Sequence, residues 1–176
     1  MAAAARIGVP KPAILVGHSI GGIVALRAAA LDPAAVAGLV LTDSFFPPAR
    51  NGRSRAAALA DYGSHRVALV REMAASGARP RPRGDAARGM RALARLGLRP
   101  GELHATADRV RAPVMVIHAR DDHHVPVDFA VAAAARHPSW TLALLERGGH
   151  NAHVERPAEW LAAAVPWLEG ISAAGG

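Results

Sequence analysis

The six residues Gly17-His18-Ser19-Ile20-Gly21-Gly22 constrain this chain more than any other stretch. They follow the apolar run Ala13-Ile14-Leu15-Val16 and lead into Ile23-Val24-Ala25-Leu26. A short strand must therefore break at glycine and pass straight into a helix, with Ser19 at the apex. A residue on so tight a turn adopts strained backbone angles and crowds its neighbours, so Gly17 and Gly21 are expected to supply room two positions to either side. The Ser19 hydroxyl then projects from the carboxyl end of the strand, and the N–H of Ile20, at the helix N-terminus, faces any oxyanion that develops beside it. A G-x-S-x-G string can also arise by chance in a chain with 17 glycines, leaving Ser19 as a helix cap. The strand and helix signals on either side argue for the functional turn.

The spacing predicts strands over residues 13–16, 37–42, 114–118 and 141–145, each a consecutive apolar run of the kind buried on both faces of a parallel sheet. Helices are predicted over 20–31, 126–136 and 157–168. The first carries Ile20, Ile23, Val24, Ala28 and Leu31 on one side, with Arg27 its only charge. The last starts on Pro157, turns Leu161, Ala164, Val165 and Leu168 inward, and is expected to kink at Pro166. Strand, helix and strand over residues 13–42 make a right-handed βαβ unit. Two further helices, over 54–75 and 85–96, flank the Arg-Pro-rich connector 79–84, and together they read as a helical cap over the sheet's carboxyl edge. The expected organisation is residues 1–46 as the first part of the core, 47–106 as the cap insertion and 107–176 as the C-terminal part of the core.

At 176 residues the chain suits one domain with a real core. There is no uninterrupted apolar run of about 18 residues, which argues against a membrane span, and Met1-Ala2-Ala3-Ala4-Ala5-Arg6 lacks the pattern of a secretory signal. A cytoplasmic location is the expectation. With no cysteine, disulfides, thiolate catalysis and cysteine-ligated zinc are excluded. The net charge of +7 is uneven: residues 47–112 hold 14 Arg against 5 acidic groups, and the other 110 residues carry a balance of −2. The basicity belongs to the insertion. With one tyrosine and three phenylalanines and no recognition motif, nucleic-acid binding is not expected.

A serine nucleophile needs a base and a carboxylate that orients it, on loops where parallel strands end. Asp121 and Asp122 follow the third predicted strand, and His150 follows the fourth. Leu15-Val16-Gly17-His18-Ser19-Ile20-Gly21-Gly22, with the turn Val116-Ile117-His118-Ala119-Arg120-Asp121-Asp122-His123-His124-Val125-Pro126 and the loop Gly149-His150 with Glu155-Arg156-Pro157, resembles the three ordered motifs of the α/β-hydrolase fold family. The resemblance implies a partial α/β-hydrolase fold of about four parallel strands flanked by helices. It further implies a Ser19-His150-Asp122 triad, with Asp122 preferred to Asp121 because the family's acid stands four residues before a proline. It implies an oxyanion donor in the Ile20 N–H, and hydrolysis of an ester or related acyl bond without cofactor or metal. Serine at the turn argues against the family's carboxylate-nucleophile branches.

The sequence departs from the family in two ways. Ala119 stands where glycine is usual, and the chain is expected to be N-terminally truncated, lacking the strands and the loop that carry the family's second oxyanion donor. The expected partner is a small-molecule acyl substrate. A second copy could add to the exposed edge of the first strand, and the alternative reading is a weakly active or inactive fragment that works as such a dimer or as a partner-bound module. His18 is expected to pack behind the nucleophile, and His153, His65 and His104 to face solvent. The cluster His118, Asp121, Asp122, His123 and His124 has metal-binding residue types without metal-binding spacing.

Overall fold

The computed structural model describes Arg6, residues 8–44 and residues 100–174. Four strands, β1 (Ala13–His18), β2 (Val36–Thr42), β3 (Val114–Ala119) and β4 (Thr141–Leu145), form one parallel sheet in chain order. Around them lie α1 (Ile20–Leu31), α2 (Pro100–Ala107), α3 (Val127–Arg136), the short α4 (Ala152–Glu155) and α5 (Pro157–Ala174). This is a partial α/β-hydrolase fold.

The apolar runs of β2 and β3 follow from burial on both faces. Successive side chains point to opposite sides of a strand. Leu39, Leu41, Val114 and Val116 accordingly join Ile23 and Leu26 of α1, Leu103 of α2 and Ala130 of α3 in one core cluster. Val40, Met115 and Ile117 join Leu145 and Ala164 in the other, under Trp160 and Trp167 of α5. The Trp160 indole N–H donates to the Thr42 hydroxyl at 3.1 Å, which seats α5 against the end of β2. Among the described residues β1 is a sheet edge, and Val16 is 58% exposed there.

Two expected helix faces need correction. In α1 the buried residues are Gly22, Ile23, Ala25, Leu26 and Ala29, whereas Val24 and Leu31 are exposed. The helix is apolar nearly all round, so no polar stripe marks its outer side. In α5, Ala164 is fully buried beside Trp160, Ala163, Trp167 and Leu168, while Leu161 and Val165 are exposed. The tryptophans take the inward positions because they bury the most apolar area per residue. The helix also runs past Leu168 to Ala174, with Pro166 inside it. Proline removes one ladder bond, and the residues that follow it, Trp167 and Leu168, still pack against the core.

The predicted helices over 54–75 and 85–96, the connector 79–84 and His65 lie outside the described residues. Within the stretch assigned to the insertion, α2 was not anticipated, and it places Leu103 and Ala107 in the core. No helix among the described residues is long and apolar enough to cross a membrane.

Candidate active site

The parallel sheet brings the ends of all four strands to one rim, where each contributes a polar group. At the end of β1, Ser19 has φ 53° and ψ −121°, a region a non-glycine residue enters at a cost of about 1–3 kcal/mol. The surrounding structure enforces it. The Ser19 N–H donates to the Thr42 carbonyl at 2.9 Å, tying the turn to β2. A Cβ on Gly17 would come within 2.6 Å of the Gly21 carbonyl oxygen and the Gly22 backbone, so only glycine fits there. The second point of close approach is Gly22 rather than Gly21. A Cβ on Gly22 would overlap the Ser44 side chain, whereas one on Gly21 would meet nothing among the described residues. Ile20 is the first residue of α1, so its N–H has no partner within the helix and points out of the N-terminus beside Ser19.

After β3, the chain turns back on itself around Asp122. Its Oδ1 accepts the amides of His124 at 2.7 Å and Val125 at 2.9 Å, leaving Oδ2 directed at His150. The His150 Nδ1–H donates to that oxygen at 2.9 Å, and on the other side of the ring the Ser19 hydroxyl donates to Nε2 at 3.0 Å. Ser19 and His150 are 131 positions apart in the chain, yet their side chains are in direct contact. Asp122 is 5% exposed, while Asp121 is on the surface. Burial pushes the Asp122 carboxyl up, but the His150 hydrogen bond and the two amides outweigh it and hold the group below the usual carboxylate range.

The loop after β4 is fixed from two directions. Gly148 has φ 117°, a conformation suited to glycine. Glu155 accepts the Gly149 amide at 2.6 Å and the Asn151 amide at 3.3 Å, clamping both neighbours of His150. From the β1 side, the His18 Nε2–H donates to the His150 carbonyl at 2.6 Å. Burial lowers the pKa of the His18 imidazole, so the ring is neutral at pH 7 and its Nδ1 holds a lone pair. His153, expected to face solvent, is instead half-buried with its ring centroid 4.6 Å from that of His18. His104 is also half-buried rather than fully exposed.

Two further buried groups lie at this rim, of which Asp43 escaped the sequence reading and His118 entered it only as part of the cluster after the third strand. Asp43, directly after β2, is fully buried with φ 45°. Its Oδ1 accepts the Ala119 amide at 3.1 Å, but Oδ2 has no hydrogen-bond partner among the described residues. Burial raises its pKa to about 7, with Asp122 adding repulsion and the Ala119 amide opposing. His118 is fully buried at the end of β3, donates from Nε2 to the Val125 carbonyl at 2.8 Å and lies 3.5 Å from Asp122 Oδ2. The available signal for Asp43 was its place, Thr42-Asp43-Ser44, at the carboxyl end of a strand beside the Ser19 turn.

The histidine and aspartate cluster after β3 is split: Asp121 and His123 are exposed, whereas Asp122 faces His150 and stays 3.5 Å from the buried His118. The groups that could converge on a metal all include Asp43, which lies outside that cluster. They are His18, Asp43 and His153, and separately Asp43, His118 and Asp122, each with one donor atom per residue within 4.8 Å of the others.

Comparison with solved structures places this arrangement. The chain is similar to MGS-MChE2, an alpha/beta hydrolase enzyme from the metagenome of lagoon sediments at Mar Chica, Morocco, with TM-score 0.60 and 22% identity over 91% of this chain and 62% of that one. It is also similar to a thermophilic esterase from Thermogutta terrifontis, with TM-score 0.60 and 22% identity over 96% and 69% of the two chains. A third is the thioesterase domain from the curacin biosynthetic pathway, with TM-score 0.61 and 18% identity over 92% and 70%. At such identities the likeness speaks for the fold alone, and this chain spans 62–70% of the length of the three. None of the curated proteins matches the sequence significantly. The sequence model of the alpha/beta hydrolase family matches residues 2–164, which takes in the Ser19 turn, the Asp122 turn and the His150 loop together. With that match and a parallel sheet in the same arrangement, this chain belongs to the alpha/beta hydrolase family.

Proposed function

We propose that this chain hydrolyses an ester or related acyl bond through an acyl-enzyme on Ser19. The observation that carries the reading is the placement of one imidazole between two partners, His150 Nε2 at 3.0 Å from Ser19 Oγ and Nδ1 at 2.9 Å from Asp122 Oδ2. In the proposed sequence Ser19 Oγ attacks the substrate carbonyl carbon while its proton passes to His150 Nε2. The tetrahedral oxyanion is stabilised by the Ile20 N–H and the positive end of α1. His150 then gives the proton to the leaving group, and the C–O or C–S bond breaks. Water attacks the acyl-enzyme with His150 again as base and releases the acid. Asp122 holds His150 in the tautomer with its proton on Nδ1 and stabilises the imidazolium. Its low pKa keeps it ionised throughout the neutral range.

A chromogenic aryl acetate mixed rapidly with the protein tests this reading. The expectation is a burst of phenol close to one equivalent per chain, then slower turnover, both lost in Ser19→Ala. Hydrolysis that persists unchanged in Ser19→Ala would refute the assignment.

A second reading is a module completed by another copy of the chain along β1. It is supported by the 58% exposure of Val16 on an edge strand that has no described neighbour on that side. Light scattering across a concentration series distinguishes the two. A dimer that Val16→Lys converts to monomer favours the second reading, and a monomer with full burst favours the first.

A further inference from the structure

Asp43 poses a problem that the proposed hydrolysis does not solve. It is a fully buried carboxyl whose Oδ2 has no close hydrogen-bond partner among the described residues, although the Ala152 amide also acts on the group, and it takes no step in the acyl transfer. Such a group is costly unless something pairs with it. Imidazoles are among the groups that face it, together with the Asp122 carboxylate and the Ala152 amide. One ring nitrogen each of His18 and His153 and one Asp43 oxygen lie within 4.8 Å of one another, and His153 Nδ1 is itself buried without a hydrogen-bond partner among the described residues.

We propose that His18, Asp43 and His153 form a site for one divalent transition-metal ion of the zinc class, held by two imidazoles and one carboxylate beside Ser19. Three features beyond proximity support it. His18 donates its Nε2–H to the His150 carbonyl, which is how metal-ligating histidines are oriented, and this leaves the Nδ1 lone pair for the ion. Two imidazoles and one carboxylate suit zinc or its neighbours in the first transition row, and do not suit magnesium or calcium, which prefer all-oxygen sets. An entry path exists, because His18 and His153 line a cavity of about 400 Å³ together with Val16, Thr42, Trp160 and Leu161. A tetrahedral zinc ion with bonds near 2.0 Å holds its ligands about 3.3 Å apart, so ring and carboxyl rotations of an ångström or so close the site.

The second group, Asp43, His118 and Asp122, is the weaker candidate. Its members are all buried, and an ion there would have to draw Asp122 away from the His150 ring and the amides of His124 and Val125. An ion held by His18 and His153 disturbs none of those bonds. It would also fix the His150 loop from the β1 side, because His18 carries the hydrogen bond to the His150 carbonyl.

Calorimetric titration of the chelator-stripped full chain with Zn²⁺, together with the visible spectrum of a Co²⁺-loaded sample, tests the proposal. The expected results are binding of one equivalent and the intense d–d absorption of a four-coordinate cobalt site. Asp43→Asn and His153→Ala should each weaken binding by more than the ~100-fold that losing a mere supporting partner of a ligand can cost. His118→Gln should leave Zn²⁺ affinity within about 3-fold of the parent, since it belongs only to the second group. Circular dichroism confirms that each variant is folded, and the cobalt spectrum of the unmutated chain stands independently of the variants. Absence of one-to-one binding, a weak octahedral cobalt spectrum, or affinity unaffected by both Asp43→Asn and His153→Ala would overturn the proposal.

Discussion

Asp122 and Asp43 sit at the carboxyl ends of neighbouring strands, both almost completely buried, and the protein treats them in opposite ways. Asp122 has two backbone amides on one oxygen and an imidazole on the other. Asp43 accepts the Ala119 amide and, more weakly, feels the Ala152 amide, and its Oδ2 has no close hydrogen-bond partner among the described residues. Burial acts on both, yet the partners pull the first pKa down while the second rises to about 7. What separates the carboxyl held low from the carboxyl pushed up at this rim is the local turn. The chain after β3 folds back so that its own amides meet Asp122, whereas the end of β2 is held by packing of Ser44 against Gly22. Depth of burial alone would not have told the two apart.

The largest test of the contrast is Asp122→Asn, which keeps the shape but leaves His150 free to adopt the wrong tautomer. Turnover of an activated ester should fall by about 10³- to 10⁴-fold with little change in KM. A loss below ~10-fold would mean that Asp122 is no better placed than Asp43.

Asp43→Asn probes the other carboxyl through stability. Its folded pKa of about 7 lies above the unfolded value of 3.8, so the folded chain binds this proton more tightly. The stability it confers is full below pH 4 and is lost as pH rises through 7, where the carboxyl ionises without a partner. In chelator, Asp43→Asn should therefore raise the unfolding free energy by roughly 2–4 kcal/mol at pH 8.5, with the gain disappearing towards pH 4. Asp122 works in the reverse sense: its lowered pKa adds stability above pH 3.8 that is lost in stronger acid. Urea titrations at several pH values measure both slopes.

Gly22→Ala tests whether packing fixes the β2 end. The added methyl overlaps Ser44 and should destabilise the fold by about 1–3 kcal/mol, while Gly21→Ala should be neutral or stabilise α1 by up to about 1 kcal/mol. Equal effects at the two sites would refute the assignment of close approach to Gly22. The smallest effect is expected from Glu155→Gln, which weakens the clamp on Gly149 and Asn151 without touching Asp122. Turnover should drop by about 2- to 10-fold, through a looser His150, at unchanged global stability.

The parts of this molecule legible in the sequence are those that local rules determine. The strand cores read correctly because burial on both faces leaves consecutive apolar residues. The convergence of Ser19, Asp122 and His150 on one rim was legible because each lies in a turn with its own spacing of glycine, aspartate and proline. The faces of α1 and α5 were not, since a helix apolar on every side carries no record of which side is covered. Val24 and Leu161 look as inward as Ile23 and Ala164 until the sheet is in place. Asp43, His153 and the Glu155 clamp depend on contacts between segments far apart or on a loop's exact path. Gly21 and Gly22 are interchangeable in a string of letters, and only the position of Ser44 distinguishes them.

The central claim is that Ser19 is a nucleophile activated by His150. The most direct measurement is the intact mass of the protein, with peptide mapping, after exposure to a fluorophosphonate. One adduct per chain on Ser19, at a rate that collapses in His150→Ala while the variant remains folded, is the predicted result. A folded, unmutated chain that stays unlabelled, or an adduct on Ser19 that forms equally fast without His150, would contradict the account.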